Sequence, residues 1–324
     1  MSRDVIIDTD PGVDDALALF LSLSSPELRI RAITTVAGNV PVELTTANAH
    51  RILTVARPVP KPPVARGANG PLTRALETAS HVHGDDGLGG VSSLRDSTGR
   101  LVYPIGDPPP ESLGAVETIL SLLGESQMTL IAIGPLTNLA LAHRRDPVRF
   151  SEVRQIIIMG GAVSVPGNVT PAAEFNFYVD PEAAHEILTS DLPVTLIPLD
   201  VTRQAILSAA AIRTLGQRGG ETGRFIEAFS RVGLAFAQRV ERERGITLHD
   251  PLAVAAAMAE ELFTFEPLSL DVETEDEATR GKVLVSERSG HSHCRVATEV
   301  RAEEFLDLFM ERLCPGSSSS AARI

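Results

Sequence analysis

The feature that most constrains this chain is a run of acidic residues near its beginning. Residues 8–16 read DTDPGVDDA and contain four aspartates, and the apolar residues 5–7 before them are typical of a buried strand. Residues 16–23 are apolar and predict a helix, so the acids lie at a strand-to-helix turn. Pro11 disfavours helix at the residue before it, and Gly12 permits a sharp turn. In open α/β sheets, turns of this kind form the crevice in which ligands bind.

Four carboxylates this close together repel one another unless a positive charge balances them. Capping of the following helix would engage one or two of them, and Asp14 and Asp15 would also face the positive end of the helix dipole. A bound divalent cation would keep all four ionised, and hard oxygen ligands suit Ca²⁺ or Mg²⁺. We interpret the turn as a candidate metal site; the plain alternative is a capped helix with solvated acids.

Composition and charge restrict the classes of function. The chain has 324 residues, 43% of them hydrophobic, which suffices for the core of one large α/β domain or two small ones. The formal net charge of −13 argues against a nucleic-acid or anionic-membrane surface. Cys294 and Cys314 are the only cysteines, too few for a disulfide framework or a thiolate zinc site, which favours a reducing cytoplasm. We expect no membrane-spanning helix, and no cleaved signal peptide because cleavage would remove the acidic run.

Strand signals alternate with helix signals along most of the chain. This order predicts an α/β fold, with a Rossmann-like, open, mostly parallel central sheet flanked by helices. The predicted strands are 5–7, 29–36, 64–65, 128–133, 155–159, 194–198, 268–272, 282–285 and 294–300. The predicted helices are 16–23, 42–55, 112–123, 139–143, 181–188, 209–215, 225–242, 250–262 and 303–313.

Three further predictions concern how the chain is organised. The last two strands, 282–285 and 294–300, are expected to form a small antiparallel edge. Residues 84–110 and 162–177 are expected to be long loops, which in compact domains are more often functional than filler. We expect residues 1–314 to form a single domain, and residues 315–324, with four consecutive serines, to be a disordered tail.

Polar side chains recur where the predicted strands end. Asn39 follows the second strand, and Asn168, Glu174 and Asn176 lie in the loop that follows the 155–159 strand. Their donors and acceptors suit sugar hydroxyls, although an ordinary loop with Asx turns would look the same. The sequence has no GxxxxGK[ST] and no GxGxxG after a strand, so nucleotide-phosphate binding is not supported.

The pair His249-Asp250 stands before an apolar helix that begins with a proline. An N-cap aspartate followed by proline at the first helical position explains Asp250 on structural grounds alone. Asp250 could also serve as a fifth acid at the cluster. Further upstream, His83 leads into the glycine-rich residues 84–90, which either cradle a ligand or form a mobile loop.

Taken together, these segments resemble the inosine-uridine-preferring nucleoside hydrolases. The matching segments occur in the order of that family and are 8–16, VAGNV at 36–40, HGDDGLG at 83–89, GPLTN at 134–138, MGG at 159–161, the run 167–176, and HDPLA at 249–253. The resemblance implies the nucleoside hydrolase fold and a Ca²⁺-dependent enzyme that hydrolyses ribonucleosides to free base and ribose in purine and pyrimidine salvage. It also implies a homodimer or homotetramer.

The resemblance further implies roles for individual residues at the matching positions. The Ca²⁺ ligands would be Asp10, Asp15, Asp250 and the backbone carbonyl of Ile133. The ribose contacts would be Asp14 and Asn176 at the 2′- and 3′-hydroxyls with Asn39 nearby, Asn168 and Glu174 on the 5′-hydroxyl side, and Met159 against the sugar. His249 would lie near the leaving base and His83 near the pocket mouth. Asp8 would support the metal ligands from behind.

Elementary chemistry agrees with these roles. Cleavage of an N-glycosidic bond passes through an oxocarbenium-like state. Asp10 is placed to take a proton from the attacking water, and attack from the face opposite the base implies inversion. The carboxylates of Asp14 and Glu174 would stabilise positive charge on the sugar ring. His249 could protonate or hydrogen-bond a purine leaving group.

The sequence departs from the family pattern where the base would bind. Family members often carry tyrosines in the helical segment before the His-Asp pair, whereas the only tyrosines here are Tyr103 and Tyr178, outside that segment. Phe225, Phe229 and Phe236 occupy it instead, so we expect phenylalanine to stack on the base. The absence of tryptophan argues against the purine-specific branch of the family, which stacks the base between indoles.

Two alternative functions remain open from the sequence. A phosphatase of the haloacid-dehalogenase type also places Asp-x-Asp at the end of its first strand and uses Mg²⁺. Its chemistry requires a lysine near the phosphate, and only Lys61 and Lys282 exist, in a proline-rich connector and a predicted edge strand. The second alternative is a non-catalytic nucleoside-binding protein, against which the retention of Asp10 argues.

Overall fold

An eight-stranded sheet forms the centre of the structure, a computed structural model that describes residues 2–106, 113–241, 245–285 and 294–314. The strands are β1 (Arg3–Thr9), β2 (Leu28–Thr35), β3 (Val64–Arg66), β4 (Thr129–Ala132), β5 (Gln155–Met159), β6 (Val194–Ile197), β7 (Ile206–Ser208), β8 (Gly245–Thr247), β9 (Phe263–Leu268), β10 (Leu270–Val272), β11 (Val283–Val285) and β12 (Cys294–Val300). The order in the central sheet is β3-β2-β1-β4-β5-β6-β12-β9, with every pair parallel except β12 with β9.

Helices cover both faces of this sheet. They are α1 (Val13–Leu23), α2 (Val42–Ala56), α3 (Ser80–His83), α4 (Ala115–Leu123), α5 (Thr137–Arg145), α6 (Pro147–Phe150), α7 (Phe175–Val179), α8 (Pro181–Thr189), α9 (Leu199–Thr202), α10 (Ala209–Arg218), α11 (Gly220–Phe236), α12 (His249–Met258) and α13 (Ala302–Leu313). Short 3₁₀ turns occur at Val91–Ser93 and Glu260–Leu262, and a π turn at Ala237–Glu241 follows α11. None of the helices in the described part of the chain combines the length and apolar character that a membrane span needs.

The central strand β1 is buried on both faces, as its apolar run predicts. Ile6 belongs to the core cluster that contains side chains of α4, α5, α6 and α8, whereas Ile7 belongs to the cluster that contains side chains of α1, α2, α11 and α12. Successive side chains of a strand point to opposite faces, so one apolar dipeptide contributes to both layers of the core.

The strand order places the end of β1 at a crevice. The chain builds outward from β1 through β2 and β3 on one side, and through β4, β5 and β6 on the other. At such a reversal the connections after the two central strands leave in opposite directions and open a ligand crevice at their carboxyl ends. The acidic turn after β1 and the 134–138 turn after β4 are therefore neighbours, and Ile133 N donates to Asp8 O across 2.8 Å.

The predicted fold class is confirmed, but several boundaries differ. β1 continues through Thr9, so Asp8 lies within the strand, and α1 begins at Val13 rather than residue 16. The predicted helix 250–262 ends at Met258, and the predicted loop 162–177 contains the start of α7. The predicted tail 315–324 and residues 107–112 lie outside the described residues.

The antiparallel edge is present, but the predicted strand pairing is wrong. β11 pairs with β10 in a separate two-stranded sheet, whereas β12 pairs with β9 on one side and with β6 on the other. β9 escaped prediction because it contains Glu266 and Pro267, and proline is depleted from strands except at sheet edges. Because β9 is the edge strand, the proline is tolerated there.

Asp180 ties together three elements that hold the site in place. Its carboxylate accepts hydrogen bonds from Ala183 N at 3.1 Å as the N-cap of α8, from Thr137 Oγ1 at 2.6 Å and from Leu72 N at 2.9 Å. The residue is fully buried. A partly exposed counterpart is Asp146, which also precedes a proline but caps α6 through Arg149 N alone.

We expect Asp180→Ala to lower the free energy of unfolding by about 3 kcal/mol, because three donors lose a buried acceptor. The matched change Asp146→Ala should cost about 1 kcal/mol, the usual value of an N-cap. Equilibrium urea unfolding measures both. Equal losses in the two variants would contradict the role assigned to Asp180.

Candidate active site

A cavity of about 380 Å³ lies at the carboxyl ends of β1, β4 and β5, a size that suits a small organic ligand. Most of the residues singled out in the sequence line it, namely Asp14, Asn39, His83, Ile133, Met159, Asn168, Glu174, Asn176, His249 and Asp250. Asp10 and Asp15 are fully buried and do not line the cavity. The structure thus gathers every predicted site residue in one region of the fold.

Asp10 follows β1 and has one satisfied and one unsatisfied oxygen. Asn39 N donates to Oδ2 at 2.6 Å, whereas Oδ1 is buried and accepts no hydrogen bond from the described residues. Glycines enclose the carboxylate on two sides. A Cβ at Gly134 would lie 2.5 Å from Oδ1, and one at Gly38 would overlap Oδ2. A buried carboxylate oxygen without a donor is costly, so the position favours a cation.

Asp15 is the best-supported acid of the turn. Its Oδ1 accepts from Thr9 Oγ1 at 2.6 Å and from Asp10 N at 3.2 Å. Its Oδ2 accepts from Gly12 N at 2.9 Å, the N-cap contact of α1, and from Asn39 Nδ2 at 3.0 Å. Asp15 is therefore the acid that caps α1. Capping of this helix does not account for the presence of Asp8, Asp10 and Asp14 in the same segment.

Asp250 arrives from the first turn of α12 and completes an acidic cluster. Carboxylate oxygens of Asp14, Asp15 and Asp250 lie within 4.8 Å of one another, a spacing that can hold a metal ion. This trio contains Asp14 where the predicted ligand set has Asp10. The Ile133 carbonyl, also in that predicted set, accepts a hydrogen bond from Asn176 Nδ2 at 3.2 Å.

Burial and mutual repulsion raise the pKa of each buried acid in the cluster. Burial, followed by the charges of Asp15 and Asp14, raises the pKa of Asp10 well above its usual range. Burial and the neighbouring carboxylates likewise raise the pKa of Asp250, and burial followed by Asp14 raises that of Asp15 to about 6. A cation among these oxygens would restore the ionised forms. The all-oxygen donor set therefore fits a hard divalent metal.

Asp8 lies behind the turn rather than in it. Its Oδ1 accepts hydrogen bonds from Thr34 Oγ1 and from Asn138 Nδ2, the latter at 2.8 Å. Asn138 Nδ2 also donates to Thr35 O at 3.0 Å. Asp8 therefore links β1 to β2 and to the start of α5 by hydrogen bonds. It does not line the cavity, so it stabilises the strand from which the acidic turn begins.

The short helix α7 presents polar groups on the other side of the cavity. Glu174 is its N-cap and accepts from Asn176 N and Gly161 N, each at 2.9 Å. Burial raises the pKa of Glu174 to about 7 although these hydrogen bonds oppose the shift. Asn168 Oδ1 accepts from Phe175 N at 2.9 Å, which fixes the loop before the helix.

Two of the three histidines that line the cavity, His83 and His249, have lowered pKa values. His83 Nδ1 accepts from Val13 N at 3.0 Å, so the ring proton resides on Nε2, and burial lowers the pKa of His83 to about 4. His249 Nδ1 lies 2.7 Å from the Thr202 hydroxyl, and burial followed by the charge of Arg203 lowers the pKa of His249 to about 3. Each ring can therefore donate one N–H hydrogen bond while remaining uncharged.

Only one of the three phenylalanines expected near the base reaches the cavity. Phe225 and Phe229 are fully buried in the core, where Phe225 packs 4.6 Å from the ring of Tyr103, so neither can contact a ligand. Of the three predicted phenylalanines only Phe236 lines the cavity, with its ring 6.0 Å from that of His81.

Two aromatic residues of this wall were not found from the sequence. Phe175 and Tyr178 both line the cavity from α7, where a spacing of three residues puts them on one face. The Arg280 guanidinium lies 3.8 Å from the centre of the Tyr178 ring. The missed signal was the helical spacing inside a segment that looked like a loop.

Comparison with known proteins gives a consistent result. The family model described as inosine-uridine preferring nucleoside hydrolase matches residues 5–307. The pyrimidine-specific ribonucleoside hydrolase RihA of Salmonella typhi is 39% identical over 323 residues, covering 97% of this chain and 99% of that protein.

Solved structures agree with the sequence match. A plant nucleoside hydrolase, PpNRh1, superposes with a TM-score of 0.89 at 35% identity and covers 97% of this chain and 100% of its own. A purine-preferring ribonucleoside hydrolase from Gardnerella vaginalis gives a TM-score of 0.87 at 31% identity, with 99% of each chain covered.

The glycine enclosure of Asp10 can be tested by cation binding. We expect Gly38→Ala to weaken Ca²⁺ affinity about 10- to 100-fold, since the added methyl group displaces the carboxylate and such supporting contacts typically have that effect. Isothermal titration calorimetry measures the affinity. Gly70→Ala is the control, because nothing lies within 4 Å of a Cβ there. Equal affinity in the two variants would show that the enclosure is unimportant.

Proposed function

Because this chain belongs to the inosine-uridine preferring nucleoside hydrolase family, we propose that it is a Ca²⁺-dependent enzyme that cleaves the N-glycosidic bond of ribonucleosides to give free base and ribose. The buried carboxylates of Asp10, Asp15 and Asp250 gather beside a cavity whose other polar groups suit sugar hydroxyls. Hydrolysis of a ribonucleoside requires such a metal site next to a pocket that binds the hydroxyl groups of the sugar.

The ligands proposed for Ca²⁺ are Asp10, Asp15, Asp250 and the backbone carbonyl of Ile133. The unsatisfied Oδ1 of Asp10 and the raised pKa values of the acids support a cation in this place. Six to eight oxygen ligands are usual for Ca²⁺, so water and substrate hydroxyls would complete the set. When bound, Ca²⁺ supplies the charge that polarises a water molecule and orients the ribose diol.

The ribose position follows from the polar groups around that cluster. Asp14 and Asn176, with Asn39 nearby, would hold the 2′- and 3′-hydroxyls. Asn168 and Glu174 would face the 5′-hydroxyl.

Below the sugar, Met159 offers an apolar surface, because its side chain is almost fully buried and lines the cavity. The groups together would hold the anomeric carbon in reach of Asp10.

The reaction then uses the residues in turn. The carboxylate of Asp10 accepts a proton from the attacking water, and the water oxygen forms a bond to the anomeric carbon from the face opposite the base. The carbon–nitrogen bond breaks with its electrons going to the base, which takes up a proton from solvent, and attack from the opposite face inverts the configuration at the anomeric carbon. The carboxylates of Asp14 and Glu174 stabilise the positive charge that develops on the ring.

His249 would assist the leaving base as a neutral hydrogen-bond donor. The Thr202 hydroxyl can accept from Nδ1 or donate to it, so it allows either tautomer of the ring. His83 carries its ring proton on Nε2 and would contact the ligand near the cavity mouth.

Several finer assignments rest on the family. We propose that residues 1–314 act as one domain, since the family model spans 5–307 as a unit. A cytoplasmic homodimer or homotetramer that serves nucleoside salvage is consistent with that assignment. Both purine and pyrimidine ribonucleosides are candidate substrates, because relatives of comparable identity are named for each class.

The two rival functions have little support. The lysine that a phosphatase needs is missing from the cavity, since neither Lys61 nor Lys282 is among its lining residues and both are exposed. Retention of Asp10, the proposed general base, argues against a non-catalytic nucleoside-binding protein. Turnover measurements separate this last function from the enzyme.

The proposed function predicts metal-dependent turnover. With Ca²⁺ present, at least one of inosine, uridine, cytidine and adenosine should be hydrolysed, as measured by ribose release at steady state. Exhaustive chelation should abolish the activity and added Ca²⁺ should restore it, because the repelling carboxylates need the cation. Full activity in a metal-free preparation would contradict the assignment of the cluster, and release of phosphate from phosphate esters would favour the phosphatase.

We expect Asp10→Asn to lower kcat by about 10²- to 10⁴-fold, the usual contribution of a general base. The amide keeps an oxygen for the cation but cannot accept the proton of the attacking water. Ribose should inhibit the variant with nearly the wild-type inhibition constant. If ribose binding falls in parallel with kcat, Asp10 serves only to build the site.

A further inference from the structure

Asn48 occupies a buried position between the acidic turn and the glycine-rich turn. It lies on α2 and is 1% exposed. Its amide nitrogen Nδ2 donates to the backbone carbonyl of Pro11 at 3.0 Å and to that of Asp86 at 2.7 Å. One side chain therefore uses both of its N–H groups to connect two segments that are far apart in the sequence.

Arg51 fixes the orientation of this amide. Its Nη1 donates to Asn48 Oδ1 at 2.9 Å, and its Nε donates to the carbonyl of Tyr103 at 3.0 Å. Arginine can only donate, so the atom facing it must be the amide oxygen. A flipped amide would set its NH₂ against the guanidinium and its oxygen against two carbonyls. The environment thus allows one orientation.

Asp86 holds the glycine-rich turn together through its carboxylate. The carboxylate of Asp86 accepts from three backbone N–H groups, those of Leu88 at 2.9 Å, Gly90 at 2.8 Å and Ser92 at 2.9 Å. Gly89 N also donates to the carbonyl of His83 at 2.8 Å, which closes the turn. Holding the Asp86 carbonyl therefore also holds the backbone of His83.

A second hydrogen bond, between Val13 and His83, also joins the acidic turn to the glycine-rich turn. The ring of His83 accepts from Val13 N, two residues beyond Pro11. The two turns pack closely between these links, because a Cβ at Gly87 would lie 3.0 Å from Asn48 Nδ2 and 3.2 Å from Pro11 O. Gly87 has a φ of +79°, so glycine suits the position for conformational reasons as well.

We propose that Asn48 is a positioning residue for the reaction. By joining the carbonyls of Pro11 and Asp86, it fixes the cavity wall that ends at His83 relative to the acidic turn. Asn48 does not itself line the cavity, so it acts on substrate binding through His83 and not on the reacting atoms. Its catalytic consequence rests on the proposed nucleoside hydrolysis.

The isosteric variant Asn48→Asp tests this role. The aspartate keeps an oxygen toward Arg51 but sets its second oxygen against the two carbonyls, so both links to the turns are lost. KM for the nucleoside should rise about tenfold or more, as loss of about 1.4 kcal/mol of binding would give, while kcat stays within about threefold. Asn69→Asp adds the same charge at an exposed site that does not line the cavity, and it should leave both parameters unchanged.

A second readout needs no substrate. The amides of Gly89 and Val13 should exchange with deuterium about tenfold faster in Asn48→Asp, because both hydrogen bonds depend on the register of the two turns. Hydrogen exchange followed by NMR measures this in the Ca²⁺-loaded chain. If the wild-type chain hydrolyses no ribonucleoside, the proposed function fails, and exchange still decides whether Asn48 holds the turns.

Exchange rates and KM together decide whether Asn48 positions His83. Faster exchange together with a KM effect supports the proposal, and Asn48→Ala, which removes both donors without adding a charge, should change both in the same direction. Unchanged exchange or unchanged KM in a folded variant overturns it, as does a loss confined to kcat. Failure of both variants to fold would assign Asn48 to folding and would also overturn the proposal.

Discussion

Buried carboxylates at the end of β1 repel one another, and the fold around them must offset that repulsion. Asp10, Asp15 and Asp250 are almost fully buried, and burial together with their neighbours raises the pKa of each. Hydrogen bonds from backbone and side-chain donors partly stabilise the ionised form of Asp15. Asp10 keeps one carboxylate oxygen that accepts no hydrogen bond from the described residues. A cation bound among these oxygens would offset the repulsion.

The sheet topology explains why such a cluster is possible. The strand order reverses between β1 and β4, so the turn that follows each strand opens into the same crevice. α12 then brings Asp250 to the acidic turn from a distant part of the sequence, and α7 brings Asn176 to the carbonyl of Ile133. Asp180, which caps α8 and binds the start of α5, fixes the elements on that side. The site is thus built from four parts of the chain, which are the turn after β1, the turn after β4, α7 and α12.

The sequence predicted what is local and failed where tertiary packing decides. The acidic turn could be found because its residues are consecutive and flanked by an apolar strand and helix. Asp250 and Asn176 were candidates from their local sequence, but their specific roles came from the family resemblance, since no local pattern shows which distant residues meet. The pairing of 282–285 with 294–300 was wrong because strand partners depend on the whole sheet. The expectation that phenylalanine stacks on the base fails for Phe225 and Phe229, because residue type alone does not show which face of α11 points inward.

We propose that the acidic turn holds a single Ca²⁺ beside the ribose site, with Asp10 among its ligands. Anomalous diffraction from crystals grown with Ca²⁺ can locate this ion. We expect one peak with Asp10, Asp15, Asp250 and the Ile133 carbonyl at about 2.3–2.6 Å. A peak coordinated by Asp14, Asp15 and Asp250 without Asp10, or no peak at the turn, would contradict it.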